Sequence, residues 1–172
     1  AVEHIDRLTK MGVDSFKIEG RTKSPYYVSR TCQAYRRAVD DAVSGRPFDM
    51  RLLGELESLA NRGYTDGFLE RHHTEDHQNY MQGYSKSNRS LYVGDITGYD
   101  DAKGLADIAV KNRFAVGDRL EIVHPSGNRE IVVESMLNKK GEPVTEAAGS
   151  GISVKLPLPA ADLQNAMLAR YL

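Results

Sequence analysis

Glu19, Arg21 and Lys23 stand at alternate positions within Val13–Tyr27, VDSFKIEGRTKSPYY. A carboxylate, a guanidinium and an ammonium this close can do chemistry together. Glu19 can act as a base or orient Arg21, and the planar fork of Arg21 can grip a carboxylate or a phosphate. The ordinary alternative is a Glu–Arg pair at the surface. From Arg21 to Arg37 the chain carries Arg21, Lys23, Arg30, Arg36 and Arg37 with no acid between them, and Tyr26, Tyr27 and Tyr35 are interleaved. Basic and aromatic side chains together hold phosphates and stack bases. Lys23, Tyr26, Arg30 and Arg37 are therefore candidate RNA contacts. A solvated helix face, helped by Asp40 and Asp41, is the competing reading.

Other chemistry-bearing groups point to less. His72, His73 and His77 with Glu75 and Asp76 have the atoms for zinc, but their spacing matches no closed site and a solvated loop explains them better. Cys32 is the single cysteine, and it falls on the apolar stripe expected for its helix, so a buried structural thiol is the expectation. No G-x-S-x-G elbow, Cys/His pair or glycine-rich phosphate loop occurs.

The elements that must position the Glu19–Lys23 cluster follow from pattern. Val2, Ile5, Leu8 and Met11 recur at helical spacing and Gly12 is a natural stop. Val13 to Glu19 alternates, which reads as a short strand with Phe16 and Ile18 facing a core. Gly20 ends it, and Ser24-Pro25 caps a helix worth about 1 kcal/mol at its start. That helix places Val28, Cys32, Tyr35, Val39 and Ala42 on one stripe and closes at Gly45. A third helix begins near Asp49, uses Leu52, Leu53, Leu56, Leu59 and Ala60, and stops at Asn61-Arg62-Gly63. Ile18-Glu19-Gly20-Arg21 also spells a tetrapeptide that engineers insert as a protease site. Its place between a strand and a capped helix, in register with both, marks it as native. In β/α folds, strand C-termini are where active sites gather.

A polar segment, Glu70 to Ser90, reads as linker or surface loop. Beyond it the runs SLYVGDI, LADIAVK, DRLEIVH, REIVVES, GISVKLP and MLARYL are separated by turn signals at Asp100-Asp101, Pro125–Asn128, Lys139–Pro143 and Gly149–Gly151. Such spacing predicts a small antiparallel barrel or sandwich. Two domains are expected, 1–89 and 90–172. The formal net charge of −1 names no partner, so any nucleic-acid site must be a local patch. No apolar run approaches the roughly 20 residues that span a bilayer, no secretory signal opens the chain, and one cysteine suits a reducing cytoplasm.

The run EHIDRLTKMGVDSFKIEGRTKSPYYVSRTCQAYRRAVDDAVSGRPFD, with LESLANRGYTDGFLE, LYVGDI and NRFAVGDRLEI, resembles the collagenase-like proteases of peptidase family U32, in particular its branch linked to tRNA wobble-uridine hydroxylation. The resemblance covers nearly the whole chain. It implies an α+β fold: a helix–strand–helix remnant of a β/α (TIM-like) barrel, then a small antiparallel β-barrel resembling those of translation proteins. A complete β/α barrel takes roughly 250 residues, so the chain reads as the C-terminal part of a longer, parent protein. The resemblance further implies 5-hydroxyuridine formation by the parent, with tRNA as partner, prephenate as a donor and an iron–sulfur cluster held outside this chain. A peptidase or a non-catalytic module is the alternative. On this reading Glu19 and Arg21 point into the parent's cleft, the isolated chain is inactive without a cluster, and its orphaned strand could pair with a second copy in a homodimer.

Overall fold

The computed structural model describes residues 1–59, 90–159 and 163–171. Packing divides the chain into two compact units, Ala1–Arg89 and Ser90–Leu172.

In the first unit a 3-10 turn, Val2–His4, runs into α1, Ile5–Lys10. Val2 and Ile5 are its buried residues. Gly12 adopts φ +83°, donates to the Thr9 carbonyl at 3.0 Å, and leaves Val13 to donate to Leu8 at 3.2 Å. This pair of bonds is a Schellman closure, which needs a residue tolerant of the left-handed region. The long helix α2, Pro25–Val43, ends the same way: Gly45 at φ +69° donates to Ala42, and Arg46 donates to Asp41. Its start is fixed by Ser24, whose Oγ accepts from the Tyr27 amide at 3.2 Å, and by Pro25 in the first turn. A short helix α3, Arg51–Glu57, buries Leu52 and Leu56, with Leu59 buried just beyond it.

Three sequence expectations are corrected here. Val13–Glu19 is not a strand: 13–20 has no regular secondary structure. Its alternation survives, with Phe16 and Ile18 half-buried between exposed Ser15, Lys17 and Glu19. A strand, however, exists only where a neighbour takes up its N–H and C=O groups. Residues 1–59 fold as helices and supply none. Second, α2 buries Tyr26, Arg30, Thr31, Ala34 and Ala38 rather than the Val28–Cys32–Tyr35 stripe. That face packs on α1 and α3, where the two alanines permit close approach. Third, and as a consequence, Cys32 is exposed. The third helix also ends earlier than expected, at Glu57 with Ser58 as its C-cap, while Asn61–Gly63, the polar segment Glu70–Arg89 and its histidine cluster lie outside the described residues.

The second unit is antiparallel β. Its strands are β1 (Ser90–Asp100), β2 (Leu105–Val110), β3 (Phe114–Ala115), β4 (Arg119–Val123), β5 (Arg129–Val132), β6 (Leu137–Asn138), β7 (Glu146–Ala147), β8 (Ser153–Pro157) and β9 (Met167–Tyr171). Seven of them form one sheet in the order β5-β4-β9-β1-β2-β8-β6, and β3 pairs with β7. The sheet curls into a half-barrel whose edges are β5 and β6, so the closed barrel expected from the spacing is only partly realised. Alternation supplies the core. In β2, Ala106, Ile108 and Val110 are buried while the residues between them are half-exposed. They meet Val93, Phe114, Leu120, Ile122, Leu156 and Leu168 from the other strands.

Candidate functional site

The Glu19–Lys23 cluster sits in the turn that delivers the chain to α2. The Lys23 amide donates to the Gly20 carbonyl at 2.9 Å, and Ser24 then caps the helix. Gly20 is required here by closeness, not by a left-handed backbone: a Cβ built on it would lie 2.6 Å from Val28 Cγ2. Val28 thus packs directly on the turn, and the turn on the first exposed face of α2.

Glu19 Oε1 accepts from the Arg21 amide at 3.1 Å, and Lys17 Nζ lies 3.8 Å from Glu19 Oε2. The carboxylate is therefore oriented by Arg21's backbone rather than by its guanidinium. The Arg21 side chain is exposed and makes no ion pair among the described residues. Lys23 Nζ stands 4.9 Å from the centroid of the Tyr27 ring, a cation–π distance. Arg21 and Lys23 thus stand two residues apart on one turn, the lysine beside an aromatic face. Tyr27 was not among the sequence candidates. Its signal was the i, i+4 spacing from Lys23 across the helix cap.

The other candidates are placed differently. Tyr26 and Arg30 are each only 5% exposed, so neither stands open to solvent as the RNA contact expected of it requires. Arg30 reaches Glu55 at 3.9 Å, and Arg37 meets the same carboxylate at 2.8 Å and Asp49 at 3.5 Å. Asp49 in turn accepts from Arg51 Nη2 at 2.9 Å, and this hydrogen bond holds its carboxyl below the usual range. Arg30 and Arg37 therefore clamp α2 onto α3 through an acidic pair. Tyr35, half-buried on α2, has its hydroxyl pKa pushed up by burial and then by Tyr27. Glu19 is brought to Lys17 and the Arg21 amide, and Lys23 to Tyr27, on one turn; Tyr26, Arg30 and Arg37 are drawn into the helix packing instead.

In the sheet unit the β4–β5 hairpin holds a buried polar group. Asn128 Nδ2 donates to Glu121 Oε1 at 2.8 Å, and His124 Nδ1 lies 2.6 Å from Ser126 Oγ. A serine beside a histidine suggests a nucleophile and its base. The Ser126 amide, though, already donates to the same Nδ1 at 3.1 Å, which places the imidazole as the acceptor that closes a tight turn. On β1, Tyr92 donates to Asp95, and burial followed by that bond pushes its hydroxyl pKa up. No group of three or more metal-ligating side chains occurs among the described residues. No helix among them is long and apolar enough to cross a membrane.

Two family models match this chain: Peptidase family U32 over residues 1–79 and Peptidase family U32 C-terminal domain over residues 88–170. The chain belongs to peptidase family U32. Among its U32 relatives, the tRNA hydroxylation protein P of Escherichia coli strain K12 is 55% identical over 172 residues, covering 99% of this chain and 38% of that protein. Its namesake in Haemophilus influenzae is 51% identical over 173 residues, covering 100% of this chain and 38% of that protein. The chain thus spans 38% of the length of these curated relatives. Among solved structures, the C-terminal domain of a Geobacillus thermoleovorans U32 peptidase is 25% identical, covers 46% of this chain and 90% of that one, and gives a TM-score of 0.43.

Proposed function

We propose that this U32 chain is part of a tRNA-hydroxylating protein that forms 5-hydroxyuridine at the wobble position. The observation that carries the reading is identity of 55% and 51% across the whole of this chain with two proteins named for tRNA hydroxylation. The helical unit is proposed as the end of a β/α barrel whose strands lie in the longer protein. Such a protein works where tRNA is, in the cytoplasm. The residues present do not fit an iron–sulfur cluster, because Cys32 offers one thiolate and a cluster takes about four. The cluster that the family resemblance implies is held by other parts of the longer protein.

This chain's contribution is to hold charge. Arg21 and Lys23 form an anion-contacting platform for an RNA phosphate or for the carboxylates of a donor such as prephenate, with Glu19 steering the Arg21 backbone. A peptidase reading finds less support, since the one Ser–His contact described is a turn closure.

Mass spectrometry of tRNA from a strain lacking the full-length gene tests the function. Hydroxylated wobble uridine is expected to disappear and to return when the intact gene is restored. Unchanged tRNA would sink the reading. In the full-length protein, Arg21→Gln is expected to lower hydroxylation roughly tenfold, the cost of one charge-assisted contact, without unfolding the protein. Full activity in a stably folded Arg21→Gln protein would make the platform structural.

A further inference from the structure

Carboxylates slightly outnumber cations in the sheet unit, so only a local patch there can attract RNA. Its cations are also mostly committed. Lys103 faces Asp100, Lys111 Asp95, Arg113 Glu146, Arg119 Glu130, Lys155 Asp107 and Arg170 Asp118. Three cations escape this pattern among the described residues: Arg129, alone on the edge strand β5, and an adjacent pair. Lys139 and Lys140, at the tip of the turn after β6, are exposed and make no ion pair among the described residues.

The turn that carries them is built rather than loose. Asn138 Oδ1 accepts from the amides of Lys140 at 2.8 Å and Glu142 at 3.0 Å. The Asn138 amide donates to the Glu142 carbonyl at 2.9 Å, and Gly141 at φ +83° donates to the Asn138 carbonyl at 2.9 Å. Glu142, the acid that could neutralise the lysines, is instead held by Asn138 Nδ2 at 2.7 Å from its Oε2. Behind the tip, Leu137 bridges to Pro143 and pairs with Lys155 of β8, so the turn is anchored to the sheet. With Glu142 hydrogen-bonded to Asn138 rather than ion-paired to either lysine, two exposed ammonium groups stand side by side on an ordered turn.

We propose that the Lys139–Lys140 turn is an RNA-backbone contact, a second phosphate-binding point distinct from the Arg21–Lys23 platform. This rests on the tRNA reading above. An ammonium pair on a preset turn suits phosphates, which it meets as point charges without reading base sequence.

The test uses the intact chain, unfractionated tRNA as probe, and fluorescence anisotropy across a salt series. The double substitution Lys139→Gln, Lys140→Gln should weaken binding roughly tenfold near about 100 mM salt and lower the salt slope by about 1.4–1.8, the share of two phosphate contacts. Lys139→Arg, Lys140→Arg should restore both. Lys103→Gln, which removes a paired lysine, should change little. Unchanged affinity and slope in the double variant overturn the proposal. So does an equal loss in Lys103→Gln, which would mean only bulk charge was sensed. Competition by a polyglutamate peptide as effective as tRNA would assign the turn to an acidic protein partner and also overturn it. Failure of the native chain to bind tRNA removes this surface while leaving the hydroxylation reading to the tRNA mass spectrometry.

Discussion

Phe114→Ala is expected to cost the sheet unit about 3–5 kcal/mol, the penalty for emptying a fully buried aromatic site. Phe114 is 0% exposed, and its strand β3 has only two residues, paired through Phe114 to the equally buried Ala147. Little backbone can follow a truncated side chain inward from so short a strand. Arg113 and Glu146, joined by bonds of 2.7 and 2.6 Å, also hold the flanks in place. A cavity therefore remains rather than collapsing. Domains of this size have about 5–15 kcal/mol of stability to lose, so the variant should be near its unfolding threshold. Urea unfolding followed by far-ultraviolet circular dichroism checks this. A loss below about 1 kcal/mol would show that the site relaxes, and that β3 is no more than a loop.

Gly94→Ala adds one methyl and is expected to cost about 1–3 kcal/mol by overpacking. Gly94 lies on β1 between β2 and β9, beside the register shift between Tyr92 and Gly94. A Cβ there would come within 2.8 Å of Ile108 Cγ2 and 2.9 Å of the Ala109 carbonyl oxygen. The second contact is backbone in a central strand pair, which cannot swing aside as a side chain can. Gly98 on the same strand is the internal control. Its nearest neighbour would be Asp107 Oδ2 at 3.4 Å, an ordinary contact, so Gly98→Ala should leave the unfolding midpoint almost where it is. Equal shifts for the two would refute the steric account.

What could be read from the sequence was whatever neighbouring residues decide among themselves. Ser24-Pro25, Gly12 and Gly45 announce their caps because capping needs only the few residues on either side. The runs that became β1, β2, β4, β5, β8 and β9 were visible by alternation and turn residues. The short strands β3, β6 and β7 were not, since two residues carry no period. Long-range matters stayed hidden. The alternation of Phe16 and Ile18 says which side of the chain is apolar, but pairing depends on a neighbour elsewhere in the chain. The face of α2 was misread for a related reason. Ala34 and Ala38 look weakly apolar in sequence, yet their smallness is what lets another helix approach, and Arg30 can be buried because Glu55 waits on α3. At the candidate site, Glu19, Arg21 and Lys23 were legible from residue type and spacing. The use of Arg37 as a helix clamp was not, because Asp49 and Glu55 stand 12 and 18 residues away.

The place of β9 in the sheet has a consequence for biosynthesis. Met167–Tyr171 is the last strand described, yet it lies between β4 and β1, hydrogen-bonded to both. Until those five residues clear the ribosome, β4–β5 and the β1-β2-β8-β6 portion share no strand pairing among the described residues. The seven-stranded sheet therefore cannot be completed until its β9 strand has been translated. It must form late, around its final strand, through contacts between residues far apart in the chain, which is the slow route for a β fold.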